Sequence, residues 1–290
     1  MRKKWIAATV IAGLLMMPMA AFADAAVGDQ VITIGTNLNQ QQRQEVLQYF
    51  HANEGAKIIS VDISEERQYL GGILPDAQIG NSTNSCAMIT YAKKGAGIDV
   101  TTRNINYVTP SAYESALLTA GVTDANVKIT APFEVSGTGA LTGIMKAYEV
   151  SSGKPIQEDV KRAATNELVT NSQLASSIGD KKSNAVINTI KQQIAEKHPQ
   201  SADDVKQIVD KVLADNNIQL TDEQYQQLLD MINQLSQLNI DWNQLAKNVS
   251  DLAGQASDYL QSEDGQTLLN QLQNLFNDFF NWLRSVFGGK

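Results

Sequence analysis

The sequence predicts an α+β protein, with an N-terminal mixed α/β sheet domain followed by an all-α helical domain. Three observations carry that reading. Short β-branched runs alternate with helical patterns from Val27 to about Val150. The strand pattern stops after Ser151-Ser152-Gly153-Lys154-Pro155, and every apolar spacing from Ile156 onward is helical. The expected organisation is a signal peptide over 1–23, a mixed α/β domain over 24–150, a linker at 151–155 and a helical domain over 156–290.

The N-terminus has the three parts of an export signal in order. Arg2, Lys3 and Lys4 form a basic start, Trp5 to Met17 an apolar run, and Ala21-Phe22-Ala23 a small-x-small site before Asp24. The alternative is an uncleaved anchor, since the run approaches the roughly 18 apolar residues a membrane span needs. Pro18 and the small residues after it favour cleavage after Ala23. Cleavage after Ala23 removes the three basic residues, takes the net charge from −8 to −11 and leaves 267 of the 290 residues. An acidic chain of this kind disfavours nucleic acid and anionic lipid as partners. Cys86 is the single cysteine, which excludes an intrachain disulfide and leaves no thiol directly after the signal region to carry a lipid. No second apolar stretch is long enough to span a bilayer. The expected location is secreted or extracytoplasmic, with any envelope association non-covalent.

Within the first domain, Gln30 to Ile34 reads as a strand, Asn39 to Ala52 as a helix burying Val46, Leu47 and Phe50, and Lys57 to Ile63 as a second strand. Cys86 to Tyr91 and Ile98 to Val108 flank Lys93-Lys94-Gly95-Ala96-Gly97, which predicts a hairpin and a sheet that is not purely parallel. Thr109 is placed as N-cap, Pro110 at the first helical position and Gly121 at the close of a helix that turns Tyr113, Leu117 and Leu118 inward. Val127 to Val135 reads as a strand in which Pro132 implies an edge or a bulge. A helix from about Thr138 to Tyr148 gathers Leu141, Ile144, Met145 and Tyr148 on one face.

The second domain reads as an irregular bundle. Helix starts are expected at Pro155 or Ser183, at Ser201 and at Thr221, with acidic residues in the first turns at Asp203, Asp204, Asp222 and Glu223. The polar faces of the C-terminal third are rich in Asn and Gln, a low-charge surface that suits solvent or self-association.

A block in the first domain carries a specific resemblance. Gly97-Ile98-Asp99-Val100-Thr101-Thr102, the stretch Ala116-Leu117-Leu118-Thr119-Ala120-Gly121-Val122, and Val135-Ser136-Gly137-Thr138-Gly139-Ala140-Leu141-Thr142-Gly143 to Lys146-Ala147-Tyr148-Glu149 resemble the YpuA-like family. That family consists of exported proteins of Bacillus-type bacteria carrying a domain of unknown function. The resemblance implies an extracytoplasmic protein of a Gram-positive cell and brings no catalytic residues with it.

Candidate chemistry in the residues themselves is sparse. His51 and His198 are the only histidines, each at an expected helix end, and with Cys86 they make a poor set for a metal, so neither a metal nor a cofactor is expected. Cys86 alternates with Met88 and Thr90 on one strand face, which predicts a buried inert thiol rather than a nucleophile served by His51. Asp62 and Asp99 are candidate acid-base carboxylates near strand ends. The glycine-rich turn Ser136-Gly137-Thr138-Gly139-Ala140-Leu141-Thr142-Gly143 is the main ligand candidate, with Ser136, Gly137, Thr138, Gly139 and Gly143 as binding positions, because amides at a helix start can face an anion. It lacks the lysine of a phosphate-binding loop and the spacing of a dinucleotide site, and close helix-on-sheet packing explains its glycines equally.

From Leu268 to Phe287 an apolar face holds four of the seven phenylalanines, and Phe276, Phe279, Phe280, Trp282 and Phe287 are its candidate interaction residues. Its cover is the protein's own bundle, an envelope protein partner or second copy, or a lipid interface; docking in the bundle is the expectation, and membrane contact is not favoured because the polar face has almost no Lys or Arg. The functional expectation is an exported cell-envelope protein that acts through binding or assembly rather than catalysis. The alternative is an extracytoplasmic hydrolase or small-ligand-binding protein with its site near Ser136 to Gly143.

Overall fold

The computed structural model describes residues 25–255. The expected signal peptide and the C-terminal segment with Phe276, Phe279, Phe280, Trp282 and Phe287 lie outside that range. The protein is α+β: a mixed five-stranded sheet early in the chain, then a run of helices. In order the elements are β1 (Gln30–Gly35), α1 (Gln40–Phe50), β2 (Lys57–Val61), α2 (Ile63–Leu70), α3 (Asp76–Ile79), β3 (Cys86–Tyr91), β4 (Ile98–Ile105), α4 (Pro110–Thr119), β5 (Ala125–Val135) and α5 (Ala140–Ser152). The later helices are α6 (Glu158–Ile178), α7 (Asp180–Lys197), α8 (Ala202–Asp215), α9 (Asp222–Ser236) and α10 (Trp242–Gln255).

The strand order is β2-β1-β3-β5-β4, with β1 parallel to β2, β5 parallel to β4, and β3 antiparallel to both of its neighbours. The expected hairpin is therefore corrected, because β5 lies between β3 and β4. Two strand spacings, about 10 Å, separate β3 from β4, and the loop between them crosses that gap with Gly95 and Gly97 at φ +85° and +76°. Their amides both donate to the Asp124 carboxylate, which pins the loop to the start of β5 at 2.8 and 3.1 Å. Of the edge or bulge expected at Pro132, the structure has the bulge, since β5 is an inner strand. Pro132 lies past the last β3 pair, Cys86–Thr130, and at the register shift between Arg103 and Ile105 of β4, so its missing N–H costs no ladder bond with β3.

Local chemistry accounts for the helix ends. Asn39, Ser201 and Thr221 each form a reciprocal capping box. Thr109 caps α4 over Pro110, and Gly121 at φ +78° closes it, with Val122 N–H bonding Leu117 and Gly121 N–H bonding Leu118. Asp62, expected inside a strand, instead caps α2 in a capping box with Glu65, and β2 ends at Val61. Ser183 does not start a helix; Gly179, at φ +89°, separates α6 from α7, and Ser183 sits in the first turn of α7. The expected linker at 151–155 holds the last two residues of α5, whose hydroxyls bond the Ala147 and Tyr148 carbonyls, and its left-handed cap Gly153.

The two sheet faces are covered unequally. Helix α1 packs Val46 and Phe50 on Ile32, Ile34, Cys86 and Met88. The other face presents Val31, Ala87, Ile89, Val127 and Ile129 to α4 and α5, and that core continues without a break through Leu168, Ile187, Val209 and Ile232 of the later helices. A satellite cluster of Leu70, Leu74, Ile79 and Val169 holds the α2–α3 segment. Among the described residues no helix is long and apolar enough to cross a membrane.

Candidate functional site

The glycine-rich turn joins β5 to α5 at the sheet edge where β1, β2, β4 and β5 all end. Carboxyl ends of parallel strands, with a helix starting above them, are where open α/β sheets place ligands. Here the turn is closed by the chain's own side chains. A Cβ added to Gly137 would lie 2.5 Å from both the Tyr113 hydroxyl and Ile105, and the Tyr113 hydroxyl donates to the Gly137 carbonyl at 2.5 Å. A Cβ on Gly139 would stand 2.2 Å from the Glu66 carboxyl, and one on Gly143 would stand 2.7 Å from Thr33 Oγ1. Ser136 is exposed and Thr138 buried, with their hydroxyls 3.3 Å apart. The glycines thus permit close approach of β1, α2 and α4 to α5.

Glu66 is the residue that sequence reasoning missed. Asp62 caps α2, and Glu66 lies one turn further along, where the helix turns its carboxyl under α5. It is 5% exposed, and its Oε1 has no hydrogen-bond partner among the described residues. The buried hydroxyls of Thr83 and Thr142 also lack one. Burial pushes the Glu66 carboxyl up to about 7, the Thr83 hydroxyl offsets part of that rise, and Asp62 adds to it. Beside it a cleft of about 220 Å³ runs between α2, α5 and α6, lined by Glu65, Gln68, Tyr69, Thr142, Met145, Lys146, Glu149 and Lys161. Lys146 pairs there with Glu65, and Lys161 pairs with Glu149 and Glu158 at 2.9 Å each.

The other candidates fall elsewhere. Asp62 follows β2 and Asp99 lies in β4, at opposite edges of the sheet, so they share no cleft. His51 and His198 are left-handed C-caps of α1 and α7, at φ 52° and 47°. Cys86 is buried, its Sγ 3.9 Å from the Asn84 carbonyl, and burial pushes its thiol up to about 11, away from thiolate chemistry.

A second buried polar group joins α4, α6 and α7. Glu167 Oε1 accepts from Lys191 at 2.8 Å and Ser115 at 2.6 Å, and Oε2 accepts from Thr119 at 2.5 Å. Ser115 Oγ stands 3.0 Å from Lys191 Nζ, the pairing that serine-lysine nucleophiles use, but Ser115, Glu167 and Lys191 are each 0% exposed. Burial lowers the Lys191 ammonium's affinity for its proton, and Glu167 opposes that effect. With no surface for a substrate to reach, this group is part of the packing.

Comparison with known proteins matches residues 34–252 to the family described as "Protein of unknown function (DUF1002)". The chain is also 41% identical, over 99% of its own length and 100% of the relative's, to the uncharacterized protein YpuA of Bacillus subtilis strain 168. No solved structure matches. A family match across both the sheet and the helices, together with a full-length relative, shows that the chain belongs to this family, the YpuA-like proteins that its 97–149 block resembles.

Proposed function

We propose that the protein is exported and acts at the cell envelope through binding or assembly rather than catalysis. The observation that supports this reading most is the packing of the turn from Ser136 to Gly143. The strongest ligand candidate in the sequence is occupied by Tyr113, Ile105, Glu66 and Thr33 of the same chain. The buried thiol of Cys86 and the enclosed Ser115–Lys191 pair point the same way. Cell fractionation with mass spectrometry of the N-terminus tests the export step, with a mature chain beginning at Asp24 as the expected product. Cross-linking in intact cells followed by affinity capture tests the rest. Recovery of an uncleaved chain from the cytosol would overturn the proposal.

Glu66 favours a second reading, an extracytoplasmic hydrolase or small-ligand-binding protein with its site beside the turn. A buried carboxyl held protonated near neutrality is a recognised form of general acid. A ligand that raises the Tm of the wild-type chain but not of Glu66→Gln would select this reading over the first.

A further inference from the structure

The Oε1 of buried Glu66 has no hydrogen-bond partner among the described residues, and the nearby cations of α2, α5 and α6 are engaged elsewhere. Lys146 bonds Glu65 and the Ser60 carbonyl, and Lys161 bonds Glu149 and Glu158. Arg67 bonds Gly80 and Asn81, while Arg162 bonds the carbonyls of Gln68 and Gly71. The groups that face the Glu66 carboxyl are Asp62 from its own helix, the Tyr113 phenol from α4, Thr83 before β3, and Gly139 at the start of α5. None of them carries a positive charge, and Asp62 repels an anion. The amino end of α5 favours a carboxylate, but this is a small effect beside the cost of burying one unpaired.

The two helices meeting at this carboxyl are anchored differently. Helix α5 is built into the main core through Leu141, Ile144 and Met145. Helix α2 is held by Leu70 in the small satellite cluster and by polar ties. If the seam between them gives way, α2 is the side that moves.

We propose that Glu66 is a proton-operated latch: protonated, it lets α2 lie closed on the turn before α5, and when its proton passes to solvent α2 swings out and opens the cleft lined by Tyr69, Thr142, Lys146 and Lys161. The raised affinity of this carboxyl for its proton places the transition near neutral pH.

Hydrogen exchange of the mature full-length chain, read by mass spectrometry on peptides covering α2, tests the latch. Exchange is compared at about pH 5.5 and about pH 8.5 after correction for intrinsic rates. Opening of α2 should rise on the order of tenfold across that interval. Glu66→Gln, which keeps the shape of the neutral acid, should abolish the rise. Glu114→Gln, a control at the other carboxyl that burial pushes up to about 7, should leave it intact. Infrared difference spectra provide a second measurement, since wild type minus Glu66→Gln at the lower pH should show a protonated-carboxyl band beyond the one that Glu114 contributes to both. Equal protection of α2 at both pH values, the same pH dependence in Glu66→Gln, or no such band would each overturn the proposal.

Discussion

Two buried carboxyls sit on opposite sides of α4's neighbourhood and meet opposite chemistry. Glu167, between α4, α6 and α7, receives a lysine and two hydroxyls, and both Glu167 and Lys191 are 0% exposed. Glu66, between α2 and α5, is 5% exposed and receives no cation among the described residues. Burial is nearly equal, so the supply of donors decides the outcome. A carboxylate surrounded by charge-assisted bonds can remain ionised in a dry core, whereas one without them holds its proton. The first arrangement ties three helices together, and the second makes a helix–helix seam sensitive to protons.

Removing the lysine should convert the first seam into the second kind, with the largest effect of any change considered. Lys191→Met leaves Glu167 with only Ser115 and Thr119 as donors, and a broken buried pair costs about 3–5 kcal/mol. Urea unfolding followed by circular dichroism should show that loss. The double variant Lys191→Met with Glu167→Gln should recover much of it, since no buried charge is left unpaired.

Changing pH probes the second seam from the other direction. The Glu66 carboxyl is raised from 4.5 to about 7 by folding, so the native state binds more protons than the unfolded chain between those values. Its stabilising contribution is complete below 4.5 and is lost as pH rises through 7. The shift corresponds to about 3 kcal/mol. Asp62, Asp204 and Asp210 have lowered values and act in the opposite sense at more acidic pH. Wild type should therefore weaken between about pH 5 and pH 8, and Glu66→Gln should weaken less over the same range. Equal slopes in urea titrations would show that Glu66 ionises without strain.

Local features of the fold were legible in the sequence, and long-range ones were not. Thr109, Pro110 and Gly121 announce α4 because capping depends on residues within one turn. Asp62-Ile63-Ser64-Glu65 carries the same kind of signal, and reading Asp62 as a strand residue overlooked its capping box. The placement of β5 between β3 and β4 has no local signature, because it is settled by which strands bury Val127 and Ile129 together. Glu66 was invisible for the same reason. Its environment is made by Thr83, Tyr113 and Gly139, which only the folded chain brings to it. The glycines of the turn were visible as a motif, but the carboxyl packed on Gly139 was not.

Gly139→Ala sharpens the contrast at the seam itself. Its methyl group would stand 2.2 Å from the Glu66 carboxyl, so α2 or α5 must shift to accept it. Overpacking of this kind costs about 2 kcal/mol. Glu66→Ala should make room and rescue the glycine variant, although it leaves a void of its own. Thermal unfolding of the two single variants and the double variant gives the coupling energy. Strict additivity would mean that the glycine serves the backbone alone.

The smallest effect should come from taking one donor away from the well-supplied carboxylate. Thr119→Val keeps the shape of the side chain and deletes the 2.5 Å bond to Glu167 Oε2, while Lys191 and Ser115 still hold Oε1. A hydrogen bond to a charged group contributes about 1.5 kcal/mol at the low end of its range, so the loss should be smaller than that of Lys191→Met. Lys191 and Ser115 remain on Oε1, so the rest of the group should stay assembled. A Thr119→Val loss as large as that of Lys191→Met would show that Lys191 alone does not hold Glu167 in place. The two seams would then differ in degree, and the donors supplied by α4 would matter as much as the lysine supplied by α7.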